Sequence, residues 1–292
     1  MSKAHVIDCR PIRAERKGAL SEYIVASAGE NLPVPTLAII QVGNRPDSTA
    51  FIFAKRKFAN EIGAKIVYKH LPETVTQQEI EELVAATSAE REIHGVIVQL
   101  PLPLHLSKDE IIDRIHPTKD VDGLTSANTK ALVEGKENSM MPATARGILE
   151  IFDHEGIELD GKKVAVMGRS SIVGKPTSLA CINRGAIVTT LHSRTENPQA
   201  ITSAADILIV AIGKPRLVGR DFVKEGQIVI DVGITPMAQG GGVVETVGDV
   251  DSKAIEDIVK AYTPVPYGVG QMTVLALFEN LIDAHRVQCG KI

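Results

Sequence analysis

The stretch Lys163-Val-Ala-Val-Met-Gly168-Arg-Ser-Ser-Ile-Val-Gly174-Lys-Pro176 constrains the fold of this chain more than any other. Val164 to Met167 form a short apolar run, the mark of a strand buried on both faces. Gly168 ends the run, and a glycine-flanked turn leads into a predicted helix carrying Ser178, Leu179, Ala180 and Cys181. A tight turn from a buried strand into a helix exposes backbone N–H groups and the positive end of the helix dipole, which suits a pyrophosphate. The spacing is not G-x-G-x-x-G. Ser170 and Val173 stand where two of the glycines would be, and Gly174 falls one place late. The motif is a variant dinucleotide loop, and by itself it leaves a plain strand-to-helix connection open.

The rest of the chain repeats this alternation. Strands are expected at Leu37–Val42, Lys65–Tyr68, Gly95–Gln99, Val164–Met167, Ala186–Leu191, Ile207–Ala211 and Ile228–Val232, with another near Tyr262. Between them the residues from Thr49 to Ile62 read as a helix, with Asp47 or Ser48 as its N-cap and Gly63 as its stop. Thr76-Gln-Gln-Glu79 is a capping box opening a second helix, and Met272–Val287 a terminal one. Strands separated by helices imply a parallel sheet, so the fold class is α/β. At 292 residues two cores are expected rather than one. Pro142–Gly147 reads as the boundary, which makes residues 142–269 a Rossmann-type doubly wound domain and residues 1–141 with 270–292 the other lobe. Ligands in such sheets gather at the carboxyl ends of strands, so Gln99, Gly168, Ser193, Gly213 and Ile234 are expected to converge on a cleft.

Composition removes other classes. The net charge is −4 with no basic stripe, and aromatic residues are only 3%, so a nucleic-acid binder is not expected. No apolar run reaches the length of a membrane helix, and the first residues lack a signal-peptide pattern. Cys9, Cys181 and Cys289 are odd in number and lack metal-ligand spacing, which fits free thiols in a reducing cytoplasm.

The candidates for chemistry are few. Phe51, Ala54, Phe58 and Ile62 are expected to share the apolar stripe of their helix, with Lys55 one position away. A lysine partly desolvated at a cleft loses its proton readily enough for acid/base work, whereas an ordinary one is a solvated surface charge. Gln99 ends an apolar strand and needs hydrogen-bond partners. Asp120 and Asp122 alternate in Lys119-Asp-Val-Asp-Gly123, which would set both carboxylates on one side of an extended segment; too few oxygens surround them for a calcium loop, so no metal is expected. After the second strand of the Rossmann domain the chain reads Leu191-His-Ser193-Arg194-Thr, with no acid to grip a ribose hydroxyl. Arg169, Ser193 and Arg194 suit a 2′-phosphate, which favours NADP over NAD.

Taken together these motifs resemble the bifunctional methylenetetrahydrofolate dehydrogenase/methenyltetrahydrofolate cyclohydrolase family. The likeness runs from Val42-Gly43 through Lys55-Arg-Lys57, Val98-Gln-Leu-Pro-Leu-Pro103, Lys119–Gly123, Gly168–Gly174 and Val229–Ile234 to Thr263-Pro-Val-Pro266 and Gly268-Val-Gly270. It implies a folate site in the first lobe, NADP in the Rossmann lobe, a homodimer, and a place in one-carbon metabolism. By resemblance Lys55 is the catalytic lysine, Gln99 its positioning partner and Asp122 the pterin-binding acid. Phe51, Pro264, Tyr267 and Gly268 would also face the folate. Gly168, Arg169, Ser170, Ile172, Val173, Ser193, Arg194 and Gly213 would hold the cofactor, and Ile234 would line its nicotinamide side. Five positions depart from the family pattern: Phe51 for tyrosine, Ala143 and Ala145 in the usual P-C-T-P segment, Tyr267 for glycine and Gln271 for proline. Their expected place is the folate side of the cleft. Two further readings follow: a dehydrogenase with weak cyclohydrolase activity, or a catalytically weak folate- or nucleotide-binding regulator.

Overall fold

A computed structural model describes residues 3–136, 139–239 and 243–291. In chain order its strands are His5–Val6 (β1), Thr36–Val42 (β2), Lys65–Leu71 (β3), Gly95–Val98 (β4), Lys163–Met167 (β5), Ile187–Leu191 (β6), Ile207–Val210 (β7), Ile228–Asp231 (β8), Thr235–Gln239 (β9), Val243–Val247 (β10) and Ala261–Tyr262 (β11). The chain divides into two compact units, residues 1–14 with 144–273, and residues 15–143 with 274–292. The expected division put residues 1–14, 142–143 and 270–273 on the other side. The difference at the N-terminus has a plain cause: β1 pairs in parallel with β11, and the Ile7 N–H donates to the Tyr262 carbonyl at 2.8 Å.

The unit of residues 15–143 holds a parallel three-stranded sheet in the order β3-β2-β4. All seven residues of the central β2 are buried, as a strand covered on both faces requires. Burying side chains such as Leu37, Ile39 and Ile40 contributes about 1.5–3 kcal/mol each. The helix Pro46–Ile62 follows β2. Its cap position is Arg45, without a side-chain cap bond, because Pro46 sits ready-shaped in the first turn; the expected caps Asp47 and Ser48 lie inside the helix. Gly63 ends it at φ +85°, and Thr76 with Glu79 forms the expected capping box. The helix Cys9–Gly29 has no counterpart among the sequence expectations.

The other unit holds a six-stranded parallel sheet in the order β1-β11-β8-β7-β5-β6. β5 lies between β6 and β7, so the chain leaves it in opposite directions, and ligands bind at such a switch point. An antiparallel hairpin of β9 and β10 follows β8 and was not expected from the sequence. Among the described residues no helix is long and apolar enough to cross a membrane.

Candidate functional site

In the unit of residues 15–143, Lys55 projects from the helix Pro46–Ile62 and donates from Nζ to Oε1 of Gln99 at 3.0 Å. Gln99 follows β4 directly and is 9% exposed; its Nε2 donates to the Leu100 carbonyl, which fixes the amide so that its oxygen faces the lysine. Lys55 and Asp122 are half-buried. Desolvation lowers the Lys55 pKa from its ordinary value, partly opposed by the negative charge of Asp122. Desolvation likewise raises Asp122, opposed by Lys55 and assisted by Asp120. The proton affinities of amine and carboxylate are thus drawn toward each other. Lys55 therefore gives up its proton more readily than an ordinary lysine, which suits an acid/base group.

Two expectations change here. Phe51 is 47% exposed and Ala54 is exposed, so they do not share the buried stripe; that face is Ile52, Phe58, Ala59 and Ile62. Asp120 and Asp122 part company as well. Asp120 is buried and accepts from the N–H groups of Leu124 and Thr125 and from Nδ2 of Asn128, so it organises the turn into the helix Ser126–Val133. Asp122 alone is left to face Lys55.

In the other unit a cavity of about 460 Å³ opens at the carboxyl ends of β5, β6 and β7, lined by Gly168, Arg169, Ser170, Ser193 and Lys214 among others. The turn is as tight as its glycines suggest: Gly168 has φ +121°, and a Cβ on Gly174 would lie 2.2 Å from the Gly168 carbonyl oxygen. Ser170 Oγ accepts from the N–H groups of Val173 and Gly174 at 3.2 and 3.3 Å, so the hydroxyl caps the helix Gly174–Asn183 instead of standing free. Ile172 and Val173 are half-buried within the turn, and neither they nor Arg194 nor Gly213 lines the cavity. Lys214 was missed in the sequence because it follows Gly213 in a turn of no recognisable motif. Arg169 and Lys214, the hydroxyls of Ser170, Ser193 and Thr195, and a glycine turn in one cavity fit a phosphorylated dinucleotide.

Ile234, Pro264, Tyr267, Gly268 and Gln271 line a second cavity of about 190 Å³ in the same unit. Tyr267 has φ +84°, its carbonyl accepts from the Cys9 N–H, and the Arg10 guanidinium lies 4.3 Å from its ring centroid. Ala143 and Ala145 are buried, in different units. Of the five departures from the family pattern, Phe51 and Ala143 thus belong to one unit and Ala145, Tyr267 and Gln271 to the other.

His94, His285 and Cys289 bring potential ligand atoms within 4.8 Å of one another. His285 is already committed, with Nε2 against the Pro33 carbonyl at 2.7 Å and Nδ1 against the Tyr23 hydroxyl at 2.8 Å. The cluster is a packed, hydrogen-bonded one.

Comparison with known proteins agrees with both halves of this picture. Residues 7–122 match the tetrahydrofolate dehydrogenase/cyclohydrolase catalytic domain, and residues 142–289 the tetrahydrofolate dehydrogenase/cyclohydrolase NAD(P)-binding domain. The chain is 39% identical over 281 residues to the bifunctional protein FolD of Agathobacter rectalis, covering 96% of this chain and 99% of that one. Among solved structures it is similar to the bifunctional FolD of Campylobacter jejuni, with TM-score 0.93, 36% identity, and 97% and 99% of the two chains covered. It is similar also to a Trypanosoma brucei methylenetetrahydrofolate dehydrogenase-cyclohydrolase complexed with NADP and an inhibitor, with TM-score 0.94, 35% identity and 99% of each chain covered. The desolvated lysine held by a buried glutamine and the glycine turn over a dinucleotide-sized cavity thus stand in matching domains, and the chain belongs to the tetrahydrofolate dehydrogenase/cyclohydrolase family.

Proposed function

We propose that the chain oxidises 5,10-methylenetetrahydrofolate with NADP⁺ in preference to NAD⁺, and hydrolyses the resulting methenyl cation to 10-formyltetrahydrofolate. When bound, NADP⁺ supplies the hydride acceptor. The residues suited to hold it are the Gly168 turn with Arg169 and Ser170, then Ser193 and Lys214 in the same cavity, with Arg194, Gly213, Ile172 and Val173 shaping the surrounding turns. Ile234 is assigned to the nicotinamide side. Arginine and lysine beside two serine hydroxyls, with no acid at the end of β6, favour a 2′-phosphate over a 2′-hydroxyl.

For hydrolysis, Lys55 in its neutral form accepts a proton from the water that attacks the methenyl carbon. Gln99 keeps the amine on one line of approach, and Asp122 balances the ammonium once it forms. Asp122 is further assigned to the pterin, and Phe51, Pro264, Tyr267 and Gly268 to folate contacts. The observation that carries this reading is the Lys55–Gln99 hydrogen bond on a lysine whose pKa burial lowers. The reading includes a homodimer, which sedimentation would test, and a cytoplasmic location, supported by three free thiols. The decisive experiment follows NADPH formation and methenyl decay separately, by absorbance, on purified protein with NADP⁺ and NAD⁺ side by side. Both reactions with NADP⁺ preferred is the expected result. A dehydrogenase indifferent to the 2′-phosphate, or an absence of methenyl hydrolysis above the buffer rate, overturns it.

A further inference from the structure

Asp249 is fully buried between the turns that follow β7 and β8. Its Oδ2 accepts from two consecutive backbone donors, Ile212 N–H at 2.7 Å and Gly213 N–H at 2.9 Å. The Asp249 N–H donates in turn to Oδ1 of Asp231, the last residue of β8, at 3.0 Å, and the Val250 N–H to Asp231 Oδ2 at 3.0 Å. The same Asp231 Oδ1 accepts from Gly233 N–H at 2.9 Å. No side chain fits between these pieces: a Cβ on Gly233 would lie 2.4 Å from the Asp249 nitrogen, and one on Gly248 would lie 1.8 Å from Asp231 Oδ2. Among the described residues Asp249 Oδ1 has no hydrogen-bond partner.

Burying a carboxylate with one oxygen unsatisfied is costly, and among the described residues no cation pairs with it. An apolar residue of similar size would avoid that cost but could not hold two adjacent amides. What those amides belong to gives the reason for the acid. Ile212 and Lys214 line the 460 Å³ cavity with Arg169 and Ser193, while Gly233 and Ile234 line the 190 Å³ cavity. Both cavity walls are therefore pinned, through backbone N–H groups, to the segment Gly248–Val250.

We infer that Asp249 is a positioning residue for the cofactor, its carboxylate fixing the Ile212–Gly213 peptides while Asp231 fixes Gly233 against the same segment. Asp249 touches neither cavity and acts only through the peptides it holds. Floppy walls would let the cofactor bind in several poses, so binding and alignment both weaken when the carboxylate is lost. The inference rests on the proposed use of NADP by this unit.

The test compares Asp249→Ala and Asp249→Asn with wild type in three assays: KM for NADP⁺, kcat of the dehydrogenase, and methenyl hydrolysis without added nucleotide. Asp249→Ala is expected to raise KM for NADP⁺ at least tenfold and to lower kcat by a smaller factor, with hydrolysis within twofold of wild type. Asp249→Asn keeps a carbonyl oxygen for the two amides and is expected to stay within threefold in KM. An unchanged KM in Asp249→Ala, equal impairment in Asp249→Asn, or a parallel loss of hydrolysis each overturns the inference. Hydrogen exchange of the wild-type protein needs no variant: the Ile212 and Gly213 amides should exchange slowly before NADP⁺ is added, and rapid exchange overturns it. A wild type that never uses NADP⁺ would instead sink the proposed function itself.

Discussion

Nζ of Lys55 lies 3.0 Å from Oε1 of Gln99, although the two residues are separated by 44 positions and come from a helix and the end of a strand. The amide accepts from the ammonium as well as a carboxylate would in geometry, without adding the charge that would hold the proton on. A glutamate there would stabilise the protonated lysine and defeat its use as a base.

Lys55→Met keeps the aliphatic stem and removes the amine. Methenyl hydrolysis should fall by roughly 10²-fold or more, the usual scale for losing an acid/base group, while NADP⁺ reduction falls less. In wild type the pH–rate profile for hydrolysis should rise through a limb below the ordinary lysine value of 10.5. A limb at that ordinary value, or hydrolysis unaffected in Lys55→Met, would assign the proton transfer to another group.

Removal of the amide acceptor is the matching test. Gln99→Leu should impair hydrolysis by about 10- to 100-fold, since a charge-linked hydrogen bond is worth about 1.5–3 kcal/mol. In a double-mutant cycle with Lys55→Met the two effects should be far from additive. Additive losses would mean that Gln99 acts independently of the lysine.

Cofactor choice should depend on the cations of the 460 Å³ cavity. Arg169→Ala and Lys214→Ala are each expected to lower kcat/KM with NADP⁺ by about 1–3 kcal/mol in free-energy terms, and to leave NAD⁺ nearly untouched. If both cofactors lose equally, the residue touches the shared part of the dinucleotide and not the 2′-phosphate.

Tyr267 reverses an ordinary preference. At φ +84° a side chain is strained by roughly 1–2 kcal/mol, and the ring, being 47% exposed, recovers little by burial. Tyr267→Gly should therefore be more stable than Tyr267→Ala by about 1 kcal/mol, against the usual order of the two residues. Denaturant unfolding of both variants, with Arg10→Ala to remove the ring's cation, measures this directly. Alanine equal to or better than glycine would show that the backbone relaxes.

Acid should destabilise the protein through His94. Burial, with the positive charges of His285 and Lys119, lowers its pKa from 6.5 to about 4, so between those values the unfolded chain binds more protons than the folded one. Stability is therefore lost as pH falls through that window, by up to about 3 kcal/mol. Asp231 works in the opposite sense. Its pKa is raised to about 6 by desolvation, so the folded state takes up a proton first and gains stability as pH falls from 6 toward 3.8. His94→Gln should flatten the acid loss and Asp231→Asn should steepen it; a pH-stability curve unchanged in both would remove these residues from the account.

Much of this protein is legible in its sequence, for a physical reason. Apolar runs such as Val164–Met167 can be satisfied only by buried strands, and Gly168, Gly63 and the Thr76–Glu79 pair specify their turns and caps through purely local geometry. Lys55, Gln99 and the Gly168 turn carry enough chemistry to be found by residue type and place. Other features depend on contacts across long separations, and periodicity says nothing about those. The pairing of β1 with β11 moved the first 14 residues into the other unit. The stripe of the helix Pro46–Ile62 turned out to bury Ile52 and expose Phe51, since a helical pattern with two overlapping apolar faces is resolved only by what packs against it. Asp120 and Asp122 look alike along the chain, yet one is consumed by backbone donors and the other faces a lysine, because only the folded turn decides which carboxylate finds N–H groups. Asp249 and Lys214 belong to no local motif, and their surroundings exist only once β7, β8 and the segment after β10 are brought together by the sheet.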